Sequence, residues 1–206
     1  MHVNKRKSVF ISGSAYEYGT FGDDGKLFIR DLSKTLLKNG FTIFSGFGYG
    51  VGNYVLEGAL EELYVEQQER MTDRLKVYPF PTRLQLLENI QRNYRDDMIS
   101  QVGTAIFLFG NKLEDIAVRE ADGMLKEFEI ARSYQVRLIP VGASGYISAR
   151  LWQELLGSYD DYFDSRELFG LYQRIGDPSI GSEELIDTIL QIADSTLQAT
   201  TMIPEL

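Results

Sequence analysis

The sequence contains no cysteine and a single histidine, His2. The lack of cysteine excludes disulfides, thiolate nucleophiles and thiolate metal ligands. One histidine beside a chain terminus leaves almost no material for a histidine-based metal site or a catalytic triad. We therefore expect neither a metal ion nor a nucleophilic triad in this protein.

Basic residues and long apolar runs are also scarce. Lys and Arg number 21 against 30 Asp and Glu, a formal net charge of −9, which argues against nonspecific binding to nucleic acid or to anionic lipid. No apolar run approaches the roughly 20 residues of a membrane span, and the opening stretch MHVNKRKSVF lacks the apolar core of a signal peptide. We expect a cytoplasmic protein that binds neither nucleic acid nor membrane and holds any anionic ligand locally.

The composition that remains is that of an ordinary globular protein. Hydrophobic residues make up 44% and charged residues 25% of the 206 positions, so neither a disordered nor a fibrous class is indicated. The length suits one domain with a substantial core. Because the chain shows no internal repeat, low-complexity tract or linker-like stretch, we predict a single domain over residues 1–206.

Strand-like and helix-like segments alternate along the chain. Short apolar runs predict strands, one of them stopped by Pro79 and Pro81; these runs are 7–15, 41–46, 73–81, 103–111 and 136–146. Apolar residues at helical spacing predict helices over 24–40, 55–63, 82–101, 124–135 and most of the chain after Leu151. The alternation indicates a doubly wound, Rossmann-like α/β domain with a mainly parallel sheet, helices on both faces and a helical C-terminal tail.

Two residues mark predicted helix ends, and one segment breaks the alternation. Gly40 stands where a C-terminal cap is expected, and Ser182 is predicted to be an N-cap. The polar segment 112–123 is predicted to interrupt the pattern without adding to it. Trp152, the only tryptophan, is predicted to pack within a helix. The acidic stretch 159–164 is interpreted as a solvated turn and not as a metal site.

Four glycines alternate in the stretch FSGFGYGVGNYVLEGALEEL, residues 44–63, directly before a predicted helix. Glycine loses much backbone entropy on ordering, so such a run indicates close approach of the main chain to something else. Two other strand exits, SGSA at 12–15 and FGNK at 109–112, are also poor in side chains. Parallel strands end at one edge of a sheet, and the three exits should therefore converge on one crevice for an anion or a nucleotide.

The glycine positions argue against one common nucleotide-binding class. A dinucleotide-binding dehydrogenase places its glycines after the first strand and an acidic residue about 20 positions later. Here the glycines follow the second predicted strand. Taken alone, each glycine-bearing exit would indicate only a tight turn.

Four segments in this order carry a resemblance to a known family: VFISGSA, SGFGYGVGNYVLEGAL, NYRDDMI and GMLKEFEIA. They resemble the SLOG superfamily, relatives of the LOG nucleotide phosphoribohydrolases, and are most similar to the C-terminal sensor domains of NAD-cleaving effectors in Thoeris anti-phage defence. The resemblance spans residues 7–155. It implies binding of a cyclic ADP-ribose isomer made by a TIR-domain protein, a sirtuin-like NADase domain in full-length relatives, and a homodimer with sites near the subunit boundary.

The same resemblance implies roles for individual residues. Arg95 and Lys112 would face the diphosphate, and Glu127 would accept hydrogen bonds from ribose hydroxyls, which suits the chemistry of these groups. Main chain around the glycine-bearing exits would enclose the remainder, and Phe47 and Tyr49 could either stack on a base or pack on the core. The complete predicted ligand-binding set is Gly13, Ser14, Ala15, Gly46, Phe47, Gly48, Gly50, Gly52, Arg95, Gly110, Asn111, Lys112, Gly123 and Glu127.

Plainer interpretations of the charged residues stay open. Arg95 could pair with Asp96 or Asp97, Lys112 could be a solubilising charge, and Glu127 could simply occupy a first helical turn, where the helix dipole favours a carboxylate. We expect Arg95 to lie at a crevice and not in the core, so that its loss would abolish ligand capture with little effect on stability.

Two other functions compete with a pure sensor. In LOG enzymes a second motif of the type PGGxGTxxE supplies phosphate contacts and the catalytic glutamate. The corresponding segment here, LFGNKLEDIAVREADGMLKEFE, lacks the proline and the contiguous glycines and carries an insertion. We therefore expect no catalytic residues, and no NADase activity in a chain that leaves no room for that domain. The alternatives are a LOG-type phosphoribohydrolase that uses Arg95 and Glu127, and an unspecialised nucleotide-binding scaffold akin to the relatives that bind molybdenum cofactor.

Overall fold

The computed structural model describes residues 4–66, 74–79, 88–158 and 165–195. Five strands of this part form one parallel sheet with the order β3-β2-β1-β4-β7, and two more form an antiparallel hairpin. Their bounds are β1 Ser8–Ser14, β2 Thr42–Ser45, β3 Leu75–Val77, β4 Thr104–Phe109, β5 Asn111–Glu114, β6 Ala117–Glu120 and β7 Arg137–Pro140.

The helices surround the parallel sheet in two groups. They are α1 Asp24–Lys38, α2 Gly52–Leu60, α3 Glu88–Ile99, α4 Gly123–Ser133, α5 Tyr146–Gly157, α6 Arg166–Arg174 and α7 Ser182–Asp194. Helix α1 packs on α2 and α7, whereas α3 packs on α4. Right-handed crossovers on either side of β1 place these two groups on opposite faces. The predicted Rossmann-like α/β class with a helical tail is confirmed.

The centre of the sheet places the ends of β1 and β4 side by side. Every residue of β4 is buried, because helices on both faces cover the central strands. In the register of this pair Gly13 lies opposite Leu108 and Ser14 opposite Phe109. The sheet order reverses between these two strands, and the carboxyl ends at such a reversal are where open α/β sheets form ligand crevices.

The two predicted helix ends have different outcomes. Gly40 has φ +83, and the N–H groups of Gly40 and Phe41 donate to the carbonyls of Leu37 and Leu36 at 3.0 Å each. This pattern is a Schellman cap, so the prediction for Gly40 is confirmed. The prediction for Ser182 is wrong by one residue: Gly181 occupies the N-cap in an extended conformation, and Ser182 is the first helical residue.

The polar segment after β4 forms an ordered hairpin, which the sequence pattern did not predict. Leu113 lies opposite Val118 in the antiparallel β5–β6 register, and Asp115 near the tip has φ +57. The N–H of Ala121 donates to the carbonyl of Gly110 at 3.0 Å. The chain therefore leaves the sheet and returns to it at one place.

Some predictions fall wholly or partly outside the described residues. The acidic stretch 159–164 does so entirely, as does the start of the predicted helix 82–101. Trp152 packs as predicted within α5, and its indole N–H donates to the carbonyl of Tyr172 at 2.6 Å. Across the described ranges, no helix has the length and apolar character needed to cross a bilayer.

Candidate functional site

The three glycine-bearing strand exits meet at one edge of the parallel sheet, as predicted. The N–H of Gly110 donates to the carbonyl of Ser14 at 2.9 Å, and the N–H of Ala15 donates to the carbonyl of Tyr49 at 2.8 Å. The exit of β1 thus lies between the glycine loop, residues 46–52, on one side and the exit of β4 on the other. One continuous rim of main chain results.

Most of the glycine loop packs against the protein itself. A Cβ atom on Gly48 would lie 2.0 Å from the carbonyl oxygen of Gly13, and one on Gly50 would lie 1.8 Å from that of Ala15. Gly50 also has φ +69, in the left-handed region that favours glycine. These two glycines are therefore required by backbone packing between the loop and the β1 exit.

Gly46 and Gly52 differ in what surrounds them. A Cβ on Gly52 would lie 2.6 Å from Cα of Phe47, which makes Gly52 another packing position. The nearest atoms to a Cβ on Gly46 are Cε of Met98 at 3.8 Å and Oε1 of Glu127 at 4.0 Å. Gly46 therefore opens towards a carboxylate, and of the four alternating glycines it is the one whose surroundings leave room for a ligand.

A cavity of about 260 Å³, here called the polar pocket, lies behind Gly46. Arg95 of α3 and Glu127 of α4 meet there, with Nε of the guanidinium 3.4 Å from Oε1 of the carboxylate. The hydroxyl of Ser12 donates to the other carboxylate oxygen, Oε2, at 2.6 Å. The side chains of Arg95 and Glu127 are only 9% and 13% exposed. They therefore interact in an environment that screens charge poorly.

The surroundings of Glu127 act on the pKa of its carboxyl in opposite directions. Burial raises the pKa of its carboxyl above the ordinary value, whereas the hydrogen bond from Ser12 and the positive charge of Arg95 lower it, and the net direction is upward. Gly123, at the start of α4, lies next to the guanidinium: a Cβ there would be 3.4 Å from Nη2 of Arg95. The surface pairing considered for Arg95 is not observed. Asp96 instead pairs with Arg92.

Several polar groups on the rim have no hydrogen-bond partner among the described residues. The hydroxyl of Ser14, which lines the polar pocket, is buried and meets no hydrogen-bond partner among the described residues. The carbonyls of Gly48 and Tyr49 accept bonds from within the fold. Trans peptides are planar, so the N–H groups of Tyr49 and Gly50 point away from those internal donors, and no acceptor for them lies in the described ranges. These groups are available to an anion.

A larger cavity of about 1040 Å³, here called the aromatic crevice, adjoins the polar pocket and shares Gly46 and Gly48 with it. Tyr16 and Tyr49 are 45% and 71% exposed. The hydroxyl of Tyr18 donates to the carbonyl of Gly50 at 2.8 Å, and burial raises the pKa of Tyr18 to about 12. The aromatic residues that line the crevice are Tyr16, Tyr18, Phe47, Tyr49, Tyr54 and Tyr146.

Asn111 is fully buried, and its side chain makes three hydrogen bonds within the fold. Its Oδ1 accepts from the N–H groups of Tyr16 at 2.9 Å and Glu17 at 3.1 Å, and its Nδ2 donates to the carbonyl of Glu17 at 2.9 Å. Phe109 and Gly110 precede it with φ +58 and +101. These two left-handed residues turn the chain sharply, which brings the amide beneath the β1 exit.

The remaining predicted residues have distinct positions. Phe47 has φ +54 and lines the aromatic crevice. Ala15 lines the same cavity, and Gly13 lines the polar pocket. Lys112 is not brought to either cavity: it lies on the β5–β6 hairpin, and its ammonium pairs with Glu114 at 3.5 Å. Its contact with a diphosphate stays a prediction that this arrangement does not favour.

Sequence reasoning missed the hydroxyl donor of Ser12 and most of the aromatic lining. Ser12 belongs to the SGSA exit that had already been recognised. The segment YEYG, residues 16–19, follows directly and carries two of the missed tyrosines. Two tyrosines just beyond the end of a central strand were the available signal.

Three comparisons with known proteins agree with this architecture. The family model of the Sir2- and TIR-associating SLOG family matches residues 1–196. The NAD(+) hydrolase ThsA of Cytobacillus dafuensis is 42% identical over 195 residues, which cover 91% of this chain and 39% of the relative. The NAD(+) hydrolase ThsA of Bacillus cereus (strain MSX-D12) is 39% identical over 193 residues, 92% of this chain and 40% of the relative. The chain thus spans about two fifths of the length of these curated relatives.

A solved structure gives a more distant likeness. DNA processing protein A from Helicobacter pylori superposes with a TM-score of 0.50 at 14% identity, over 92% of this chain and 82% of the other. At that identity the likeness concerns the fold alone. Because a shared fold does not imply a shared function, the function has to be argued from the site.

Proposed function

Because the chain belongs to the Sir2- and TIR-associating SLOG family, we propose that it is a nucleotide sensor. Its ligand is a cyclic ADP-ribose isomer made by a TIR-domain protein, and its capture activates an NAD-cleaving domain during anti-phage defence. In this proposal the chain corresponds to the SLOG part of the ThsA relatives and acts in the cytoplasm as a homodimer. It binds its ligand without cleaving NAD.

The observation that carries the proposal is the pairing of Arg95 with Glu127 in the polar pocket, at the rim formed by three strand exits. The guanidinium can hold phosphate oxygens through parallel N–H bonds, and the carboxylate can accept from ribose hydroxyls. The hydroxyl of Ser14, which lines the same pocket, supplies a further donor. A ligand with adjacent phosphates and ribose hydroxyls matches this set of groups.

Activation requires that the ligand bind one state of the effector better than the other, since equal affinity for both states shifts nothing. In the structure the guanidinium of Arg95 faces the carboxylate of Glu127 at 3.4 Å. A diphosphate that competes for the guanidinium would alter that pairing, and with it the contact between α3 and α4. We propose that the packing of α3 against α4 differs between the ligand-bound state and the free state.

The test is calorimetric titration of the purified chain with individual cyclic ADP-ribose isomers. We expect the wild type to bind at least one isomer and Arg95→Ala to bind none. Arg92→Ala is the matched control, because Arg92 lies on the same helix with a side chain that is 76% exposed, and it should bind as the wild type does. The proposal fails if no isomer binds, or if the Arg92 variant loses as much affinity as the Arg95 variant.

One observation favours a second candidate function. A buried carboxyl whose pKa is raised, as burial does for Glu127, is suited to act as a general acid, and Arg95 beside it could hold a phosphate. A LOG-type phosphoribohydrolase would use this pair to release the base from a nucleoside monophosphate. Incubation of the protein with AMP separates the two functions. Release of the base by the wild type but not by Glu127→Ala establishes the enzyme. If the wild type releases no base but binds an isomer tightly, the result supports the sensor.

A further inference from the structure

The aromatic crevice has features that the polar pocket alone does not explain. We propose that it is a nucleobase site in which Tyr16 and Tyr49 contact a planar ring, and that Asn111 is a positioning residue that sets the geometry of its wall. The inference deepens the sensor function proposed above and rests on it for the identity of the complete ligand. It assigns the base to one cavity and the phosphates and ribose to the other.

The sizes of the two cavities support this division. The polar pocket measures about 260 Å³ and the aromatic crevice about 1040 Å³. Sites for drug-sized ligands occupy roughly 300–1,000 Å³, so the polar pocket is too small to enclose a whole nucleotide. The two cavities meet at Gly46 and Gly48. A phosphate and a ribose beside Arg95 would leave the attached base at this junction, facing the crevice.

The exposed rings are suited to stacking. Tyr16 and Tyr49 have no aromatic partner within the described ranges, whereas Tyr18 already packs edge-on against Tyr54 and Phe109 with centroids 6.5 Å and 5.4 Å away. The hydrogen bond from the N–H of Ala15 to the carbonyl of Tyr49 keeps the two free rings on neighbouring backbone. Every nucleobase has a flat face that can stack on a tyrosine.

The wall that carries Tyr16 is held from below by Asn111. The carboxamide makes its three hydrogen bonds to the main chain of Tyr16 and Glu17. The carboxylate of Glu17 accepts a further bond from the hydroxyl of Tyr146 at 2.5 Å. Asn111 does not line either cavity. It therefore acts on a ligand through the backbone that it orients.

Single-residue variants and three probes test the proposal. The probes are adenosine, which carries the base without phosphate, ribose 5-phosphate, which carries phosphate without the base, and a cyclic ADP-ribose isomer. Ligand-observed NMR measures the first two and calorimetry measures the third. Tyr134→Ala is the matched control for Tyr16→Ala, because Tyr134 is 46% exposed against 45% for Tyr16 and lines neither cavity.

We expect Tyr16→Ala to weaken the binding of adenosine and of the cyclic isomer by about tenfold, the effect of one lost stacking contact, and to leave ribose 5-phosphate unchanged. Asn111→Asp keeps the size of the side chain and its acceptor but loses the donor to the carbonyl of Glu17. It should weaken adenosine and spare ribose 5-phosphate. That selectivity separates a positioning role from general destabilisation, which would weaken both probes together.

The outcomes distinguish this inference from the sensor function. If the isomer binds through Arg95 but adenosine does not bind, or Tyr16→Ala leaves both affinities unchanged, the nucleobase site is refuted and the sensor stands. If adenosine binds through Tyr16 and no cyclic isomer binds, the sensor fails and the nucleobase site stands. Equal loss of both small probes in Asn111→Asp refutes the positioning role.

Discussion

Replacement of Arg95 by alanine should destabilise the protein at neutral pH, because it removes the cation that faces the buried carboxylate of Glu127. The guanidinium and the carboxylate are 3.4 Å apart, with side chains 9% and 13% exposed. Removing one member of a buried ion pair leaves the other charge uncompensated. Arg95 does line a cavity, as predicted from the sequence. Its burial beside Glu127 leads us to expect a larger loss of stability than the sequence suggested.

The magnitude has an upper bound, since the stranded carboxyl can always take up a proton. Its ordinary pKa is 4.5, about 2.5 units below pH 7. At about 1.36 kcal/mol per unit, a carboxyl that is neutral in the folded variant and ionised after unfolding costs roughly 3.4 kcal/mol at pH 7. For a chain of this length that corresponds to a fall of about 7–14 °C in the midpoint of thermal unfolding.

The sign of the pH dependence follows from the direction of the pKa shift. Burial raises the pKa of Glu127, and removal of Arg95 raises it further, so the neutral form favours folding. The stability that this form contributes is present below the unfolded pKa and is lost as the pH rises through the folded pKa. The loss of folding stability in Arg95→Ala, relative to the wild type, should therefore be larger at pH 7 than at a pH near 4.5, the ordinary pKa of the glutamate carboxyl.

Thermal unfolding monitored by circular dichroism between pH 4.5 and pH 7 measures this deficit. The double variant Arg95→Ala/Glu127→Gln should recover most of the loss at pH 7, because no charge is then stranded. Arg92→Ala should unfold as the wild type does at both pH values. Equal midpoints for the single and double variants at pH 7, or a deficit that does not change with pH, would refute the electrostatic explanation.

Three further predictions follow from the rim of the site. Gly48→Ala should lower the unfolding midpoint and abolish ligand binding, because its Cβ would lie 2.0 Å from the carbonyl of Gly13; Gly46→Ala, with nothing nearer than 3.8 Å, should keep the midpoint in the same melting experiment. Ser14→Ala should leave stability unchanged or slightly higher, since its buried hydroxyl meets no partner in the described part of the chain, yet weaken isomer binding in calorimetry. Lys112→Ala should reduce isomer affinity by less than threefold, because its ammonium pairs on the hairpin outside both cavities; a loss comparable to that of Arg95→Ala would show that the hairpin moves onto the ligand.

The fold and the centre of the site were accessible from the sequence because they follow from periodicity and sheet geometry. Alternating strands and helices predict a parallel sheet, and the ends of its strands must share an edge. The meeting of Arg95 with Glu127 could be predicted only from the resemblance, because spacing along two helices does not fix which residues face each other.

The rest depended on contacts between distant backbone and side chains. The bonds from Asn111 to Tyr16 and Glu17 join residues 95 and 94 positions apart, which no local pattern encodes. The glycine run was correctly interpreted as a close approach of main chain, but at Gly48 and Gly50 the approaching group is the β1 exit. The sequence shows which positions lack a side chain, but it does not show whether the space beside them is filled by the protein or by a ligand.

The β5–β6 hairpin closes on itself where Ala121 bonds to Gly110 at 3.0 Å, and Ile116 near its far end is 98% exposed. The hairpin beyond that closure contributes no lining residue to either cavity. Residues 115 and 116 therefore form a natural place to graft a reporter peptide or a surface tether. Asn111 lies at the base of this hairpin, at the opposite end of β5 from the tip, so a graft at the tip should leave the wall that Asn111 holds undisturbed.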